Sequence, residues 1–236
     1  QEKISRNDMV CRAARKVYDE VKGSSRPDLP IHWTEYNASY MNEPDVTDAR
    51  FMGPWLANTI SQCDGLMDTL AYWTFSDVFE EQGVGKKPFY GGFGLIAAGG
   101  LPKPSFNAFQ MLHRLGDQRI LANSSSALVT RRSDGTLVIA LWNLFLPQEA
   151  GTPKQVKLEI KGVKPGRTAL IHRLDDDHGS LLREYEKMGK PAYPSRQQIE
   201  SLRKAAQLPS AEKQKLSGGT LDLVIPPHGL VLLEIR

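Results

Sequence analysis

Cysteine is scarce in this 236-residue chain: Cys11 and Cys63 are the only two. Two cysteines define neither a disulfide framework nor a metal-ligand pattern, and we read them as two buried or half-buried thiols. Long apolar runs are missing as well. The longest, such as 93–98 and 230–233, fall far short of the roughly 18–20 residues that a membrane-spanning helix needs. Nor is there an excess of one charge, since the formal net charge is +3 with 24% charged residues. Hydrophobic residues make up 40% of the chain. That excludes general disorder and supplies enough apolar side chain for a packed core. The chain opens at Gln1 on a polar segment, with neither an initiating Met nor an apolar signal-like stretch. We therefore expect residues upstream of it and assign no compartment.

Several chemical signatures are also missing. There is no His-Glu-x-x-His, no phosphate-binding Gly-rich loop with its Lys, and no Gly-x-Ser-x-Gly elbow. Gly91-Gly92-Phe93-Gly94 lacks dinucleotide-loop spacing and opens no helix. Asp175-Asp176-Asp177-His178 has no further ligands spaced around it and reads as an acidic surface turn rather than a cation site. No metal or organic cofactor is expected. Charge divides unevenly: residues 1–118 hold 12 Lys+Arg against 15 Asp+Glu, and residues 119–236 hold 18 against 12. The basic residues of the second half are scattered singly, without the clustering that a nucleic-acid groove requires. Neither nucleic acid nor membrane is an expected partner.

The first half alternates helical and strand-like patterns. Residues 9–22 place Val10, Ala13, Ala14, Val17 and Val21 at helical spacing, with Asp8 positioned as N-cap. A short strand is expected over 31–35, a helix over 54–62 and a second strand over 67–75. Pro104 opens a further helix with Phe106, Phe109, Leu112 and Leu115 as its stripe, and Gly116 stops it. Such βα alternation predicts a parallel sheet, yet only two units are visible. A closed (β/α)₈ barrel has eight units in about 250 residues, so the expectation is the C-terminal part of such a TIM barrel.

The second half changes character. Residues 127–132 and 136–142 flank Ser133-Asp134-Gly135, a hairpin signal. Alternating strands are also expected over 155–160, 168–174, 220–225 and 230–235, which together predict an antiparallel β-sandwich. Ser195 with Gln198 three residues later reads as a capping box, marking a helical insertion near 195–207. The predicted fold is thus α/β plus all-β, divided into residues 1–118 and 119–236.

Two segments carry acids among aromatics: Trp33-Thr34-Glu35-Tyr36-Asn37, and the run from Tyr72 through Trp73 and Phe75 to Glu80-Glu81. Each ends a predicted strand, and in a barrel the C-terminal strand ends form the active face. Carboxylates suit chemistry through a cationic transition state and accept hydrogen bonds from hydroxyls, while aromatic faces pack against sugar rings. This combination points to a carbohydrate site.

The run 33–40 resembles the nucleophile strand of glycoside hydrolase family 39. Residues 72–81, 89–95 and Pro102-Lys103-Pro104 are similar to that family's β-xylosidases, as are 128–135 and 188–195 in the second half. The resemblance implies a retaining β-xylosidase that releases xylose from the non-reducing end of β-1,4-xylo-oligosaccharides. It implies Glu35 as the nucleophile on barrel strand seven, Trp73, Glu80 and Glu81 as sugar-binding residues after strand eight, and, more weakly, Tyr40. The family's acid/base lies in an Asn-Glu-Pro motif far upstream of the nucleophile. Asn42-Glu43-Pro44 matches that tripeptide but follows Glu35 closely, so it is expected to form a loop turn, with Asp48 or a neighbour capping the next helix. The acid/base is accordingly expected in an N-terminal half of the same enzyme, which would be a partner of this segment. α-L-Iduronidase or β-glucosidase activity, or a non-catalytic carbohydrate-binding role, are the alternatives. Homo-oligomerisation is left open.

Overall fold

A computed structural model describes residues 5–79, 83, 85, 87–162 and 166–236. The chain begins with helix α1 (Met9–Lys22), followed by strand β1 (His32–Tyr36), a short helix α2 (Pro44–Thr47), helix α3 (Met52–Cys63) and strand β2 (Thr69–Tyr72). Asp8 occupies the N-cap of α1 but makes no side-chain cap. The buried face of α1 is Val10, Cys11 and Ala14, whereas Ala13 lies in solvent. β1 and β2 pair in parallel, with α2 and α3 as the crossover between them. β2 is shorter than its apolar pattern predicts. Beyond Tyr72 the chain pairs with a different segment: Thr74 N–H donates to Phe93 O at 2.9 Å and Leu95 N–H to Thr74 O at 3.0 Å.

α3 is buried on nearly every side, from Met52 through Thr59. It needs this all-round apolar surface because it packs both on the parallel pair and on a large sheet beyond it. After a two-residue hairpin, β3 (Ile96–Ala97) and β4 (Leu101–Pro102), helix α4 (Pro104–Leu112) runs beside α3. Its buried residues include Asn107, Ala108, Met111 and Leu112, a broader face than the predicted stripe, with Phe106 only half-buried.

The remaining strands are β5 (Gln118–Ile120), β6 (Ala127–Arg131), β7 (Leu137–Trp142), β8 (Lys154–Glu159), β9 (Thr168–Leu174), β10 (Glu212–Lys215), β11 (Thr220–Ile225) and β12 (Leu230–Ile235). Six of them form one antiparallel sheet in the order β10-β9-β12-β7-β6-β5, and β11 pairs separately with β8. The β6–β7 hairpin turns at Gly135, whose φ of +84° needs glycine. β12 is buried on both faces: Leu230 and Leu232 face the helices, and Val231, Leu233 and Ile235 face the β8–β11 pair. Glu234 is the single polar residue on its helix side. It is 2% exposed and ion-paired to Arg114 at 3.0 Å and Arg132 at 2.9 Å. Burial pushes the Glu234 carboxyl up, but the two guanidinium donors outweigh that and hold it low.

The result is three stacked layers: the β8–β11 pair, the six-stranded sheet, and the helices. One continuous core joins Trp55, Leu56, Met111, Trp142, Leu174 and Leu230 across residues from both halves of the sequence. Two further helices, α5 (Leu182–Lys187) and α6 (Arg196–Ala206), cover the β3–β4 hairpin through Phe89, Leu101, Tyr185 and Leu202. α6 starts at the Ser195/Gln198 capping box. The Asp175–His178 segment is a turn closed by Asp175 Oδ1 accepting from Asp177 N–H at 2.9 Å, with Arg50 and Arg183 pairing its acids. Among the described residues no cluster of His, Cys, Asp and Glu could hold a metal ion, and no helix is long and apolar enough to cross a membrane. Cys11 and Cys63 are a correction: packing of α1 on the end of α3 brings their Cα atoms to 5.4 Å and the two sulfurs are bonded.

Candidate active site

Strand β1 is built to show two faces. Its register against β2 pairs Trp33 with Leu70 and Tyr36 with Tyr72, leaving Thr34 and Glu35 together opposite Ala71. That extra residue is a bulge, a device that re-aims side chains at strand ends. It places Trp33 and Tyr36 both on the helix side. There Tyr36 stacks near Trp55 with centroids 6.0 Å apart and meets Tyr72 edge-on at 5.7 Å. Burial pushes the pKa of both tyrosine hydroxyls well above the ordinary range and keeps them protonated. Thr34 and Glu35 are left exposed on the opposite face, as are His32 and Thr69, whose side chains bond at 3.0 Å. Among the described residues the Glu35 side chain makes no hydrogen bond or ion pair.

Trp73 follows directly. Its N–H donates to Tyr36 O at 3.0 Å, so the tryptophan leaves β2 beside the end of the strand that carries Glu35. The ring is half-buried and meets Phe79 edge-on at 5.3 Å. Asn37, the first residue after β1, donates its amide to Trp73 O and, at 3.3 Å, to Phe93 O. The expected sugar-binding residues Glu80 and Glu81 lie outside the described residues. Tyr40 is 88% exposed and lines a cleft of about 630 Å³ with Arg6, Ser39, Met41 and Glu43. It shares no ring contact with Trp73 among the described residues.

The Asn42-Glu43-Pro44 tripeptide forms the start of α2, with Glu43 at the N-cap and Pro44 at the first helical position. Arg6 grips the Glu43 carboxylate with two bonds, at 2.9 and 3.1 Å, and the Ser39 hydroxyl donates to it as well. Ser39 first, and then Arg6, hold the Glu43 carboxyl below its ordinary range. A carboxylate so held is a poor proton donor near neutrality. Asp48 does not cap α3, whose N-cap is Phe51. Instead Asp48 accepts from Gly91 N–H at 2.7 Å and contacts Lys103 at 2.6 Å.

Nothing in the sequence around Lys103 marks it as a site residue, yet it is completely buried. Its ammonium group meets Asp48, Asp77 at 3.2 Å and Gly92 O at 2.7 Å. Asp77 in turn accepts from Gly94 N–H at 2.6 Å. Burial raises both aspartates, Asp77 to about 6, against the pull of Lys103. The glycines of 91–94 have their reason here. A Cβ on Gly92 would stand 2.4 Å from Asp77 Oδ1, and one on Gly91 2.4 Å from Glu43 N. The Gly-Gly-x-Gly spacing was the one sequence signal for so close an approach.

The chain matches the model of glycosyl hydrolases family 39 over residues 2–218. It is 36% identical over 218 residues to a β-xylosidase of Geobacillus stearothermophilus, covering 92% of this chain and 43% of the relative. A β-xylosidase of Caldicellulosiruptor saccharolyticus is 33% identical over 221 residues, covering 88% and 45%. The crystal structure of a monomeric β-xylosidase from Caulobacter crescentus CB15 superimposes with a TM-score of 0.87 at 26% identity, over 98% of this chain and 50% of that one. The chain thus spans less than half the length of these two curated relatives.

Proposed function

The chain belongs to glycosyl hydrolases family 39, and from that premise we propose that it carries the nucleophile side of a retaining β-xylosidase site. Glu35 attacks the anomeric carbon through an oxocarbenium-like transition state, giving a covalent xylosyl-enzyme that water then hydrolyses. A second carboxyl group, about 5–5.5 Å away, protonates the leaving oxygen and later activates the water. Glu43 does not suit that role, being ion-paired to Arg6. The acid/base therefore comes from sequence upstream, in the portion that the relatives have and this chain does not span. In this reading β1 and β2 are the last two strands of a (β/α)₈ barrel, residues 119–236 form a β-sandwich domain, and the substrate is a short β-1,4-xylo-oligosaccharide. Trp73 walls the sugar, Glu80 and Glu81 accept its hydroxyl protons, and Tyr40 borders the approach.

The observation that supports this best is the β1 bulge. It turns Glu35 away from the core, unpaired among the described residues, beside the segment that carries Trp73. A mechanism-based fluoro-xyloside should label the peptide containing Glu35 in the complete protein. Labelling of another peptide would refute the assignment. Comparing nitrophenyl xyloside, glucoside and iduronide as substrates tests the sugar.

A further inference from the structure

A fully buried lysine is rare, and one at a helix N-terminus is electrostatically misplaced, since the helix dipole there favours anions. Lys103 is both: 0% exposed and at the N-cap of α4. Neither propensity nor packing accounts for it, but its partners do. Asp48 belongs to the stretch that follows β1, and Asp77 and Gly92 belong to the stretch that follows β2. The aspartates spend their remaining acceptors on Gly91 and Gly94 N–H, again in the second stretch. One cation therefore meets both loops at a point with no access to water.

We infer that Lys103 is a positioning residue, locking the loops after β1 and β2 together through Asp48 and Asp77 and so fixing the Trp73 segment against the strand that carries Glu35. The link to Trp73 is short. Asp77 N–H donates to Ile96 O at 2.8 Å, Thr74 N–H donates to Phe93 O, and Gly94 hangs on the Asp77 carboxylate. Segments 73–77 and 91–96 thus form one braced unit. Without Lys103 two buried carboxylates would face each other without a counter-charge, and that unit would be held to the Asp48 loop only through Gly91, by its bonds to Asp48 and Asn42. The lysine, wholly buried, is out of reach of a molecule in the cleft. Its effect on catalysis rests on the functional reading above, whereas its tie between the loops does not.

The test compares Lys103→Met and Asp77→Ala with wild type in the complete protein. It combines amide hydrogen exchange over 89–95, with 137–142 in β7 as control, and kinetics on nitrophenyl xyloside. Exchange over 89–95 should rise at least tenfold in both variants while β7 is unchanged. KM should rise about tenfold or more, with a smaller fall in kcat. Asp77→Ala leaves Lys103 paired with Asp48, so it decides the matter even if Lys103→Met does not fold. Unchanged exchange over 89–95 in a folded variant overturns the inference. So does faster exchange with unaltered KM and kcat. A wild-type protein that hydrolyses no xyloside refutes the functional reading alone, and the exchange comparison still decides whether Lys103 ties the loops.

Discussion

Asp77 should make the folded state less stable as pH rises from about 4 to 6, the reverse of a normal carboxylate. Its carboxyl is buried and must share one ammonium with Asp48, and burial pushes its pKa up from 3.8 to about 6 against the pull of Lys103. The folded protein then holds a proton that the unfolded chain releases. Stability from this group is fully present below about pH 4 and is lost as pH climbs through 6. A gap of that size corresponds to roughly 3 kcal/mol, at about 1.4 kcal/mol per unit. The raised Asp48 acts in the same direction. Glu43 and Glu234, held low by their partners, act oppositely and lose their contribution as pH falls. The informative quantity is therefore a difference curve, wild type minus Asp77→Asn, from denaturant unfolding across pH 4 to 7.5. Asparagine keeps the acceptor for Gly94 N–H, and the donor it turns toward Lys103 adds a cost that does not vary with pH. The difference should fall by about 2.4 kcal/mol on going from pH 4 to 7, since part of the roughly 3 kcal/mol is already lost at pH 4. A flat or rising difference would show that Asp77 is ionised throughout, and the argument from burial would be wrong.

Other outcomes follow from the same geometry. Glu35→Ala should lower xyloside turnover by several orders of magnitude, with partial rescue by azide; near-normal turnover excludes Glu35 as nucleophile. Glu43→Ala frees Arg6 and the Tyr40 loop, so its loss should appear in KM, and a collapse of kcat would restore Glu43 as an acid/base candidate. Cys63→Ser opens a cross-link over 52 residues; the chain-entropy limit is about 4 kcal/mol, and equal melting temperatures for variant and wild type under oxidising conditions would count against the bond. Glu234→Gln should cost about 2 kcal/mol, below the 3–5 typical of a fully buried pair, because Arg114 remains 43% exposed and hydrated.

Periodicity reads well wherever burial is one-sided. The strands β6, β8, β9 and β11 follow their alternation, β7 and β12 show instead as apolar runs buried on both faces, and the Ser195/Gln198 spacing marks the start of α6. It misses β10, whose Glu-Lys-Gln-Lys is polar throughout because it is a solvated sheet edge. It also misses α5 and the two-residue strands β3 and β4, which tertiary contacts hold in place. At the site, the acid-and-aromatic ends of β1 and β2 were visible in the sequence. The bulge that separates Tyr36 from Glu35 was not, since a register is a property of two strands. Lys103 in Pro-Lys-Pro looks like any turn lysine until two distant aspartates converge on it. Cys11 and Cys63 likewise meet only because α1 lies across the end of α3.

The second half of the sequence bears on the site through packing as well as directly, with Leu146 and Gln148 lining the same cleft as Tyr40. Both loops at the site converge on Lys103 at the start of α4, and the far end of α4 is held to the large sheet by Arg114 and Glu234. Between those ends Met111 and Leu112 lie in the same core as Trp142, Leu230 and Leu232. The β3–β4 hairpin beside the Trp73 segment rests on α5 and α6, which branch from between β9 and β10. The layers therefore differ in reach. A cavity on the helix-facing side of β12, at Leu230 or Leu232, loosens α4 and with it the Lys103 anchor. A cavity on the other side, at Leu233 or Leu223, falls in the separate core shared with β8 and β11 and should leave the Lys103 anchor in place. Packed interiors transmit strain through contact, and the path of contacts runs through one face of the sheet.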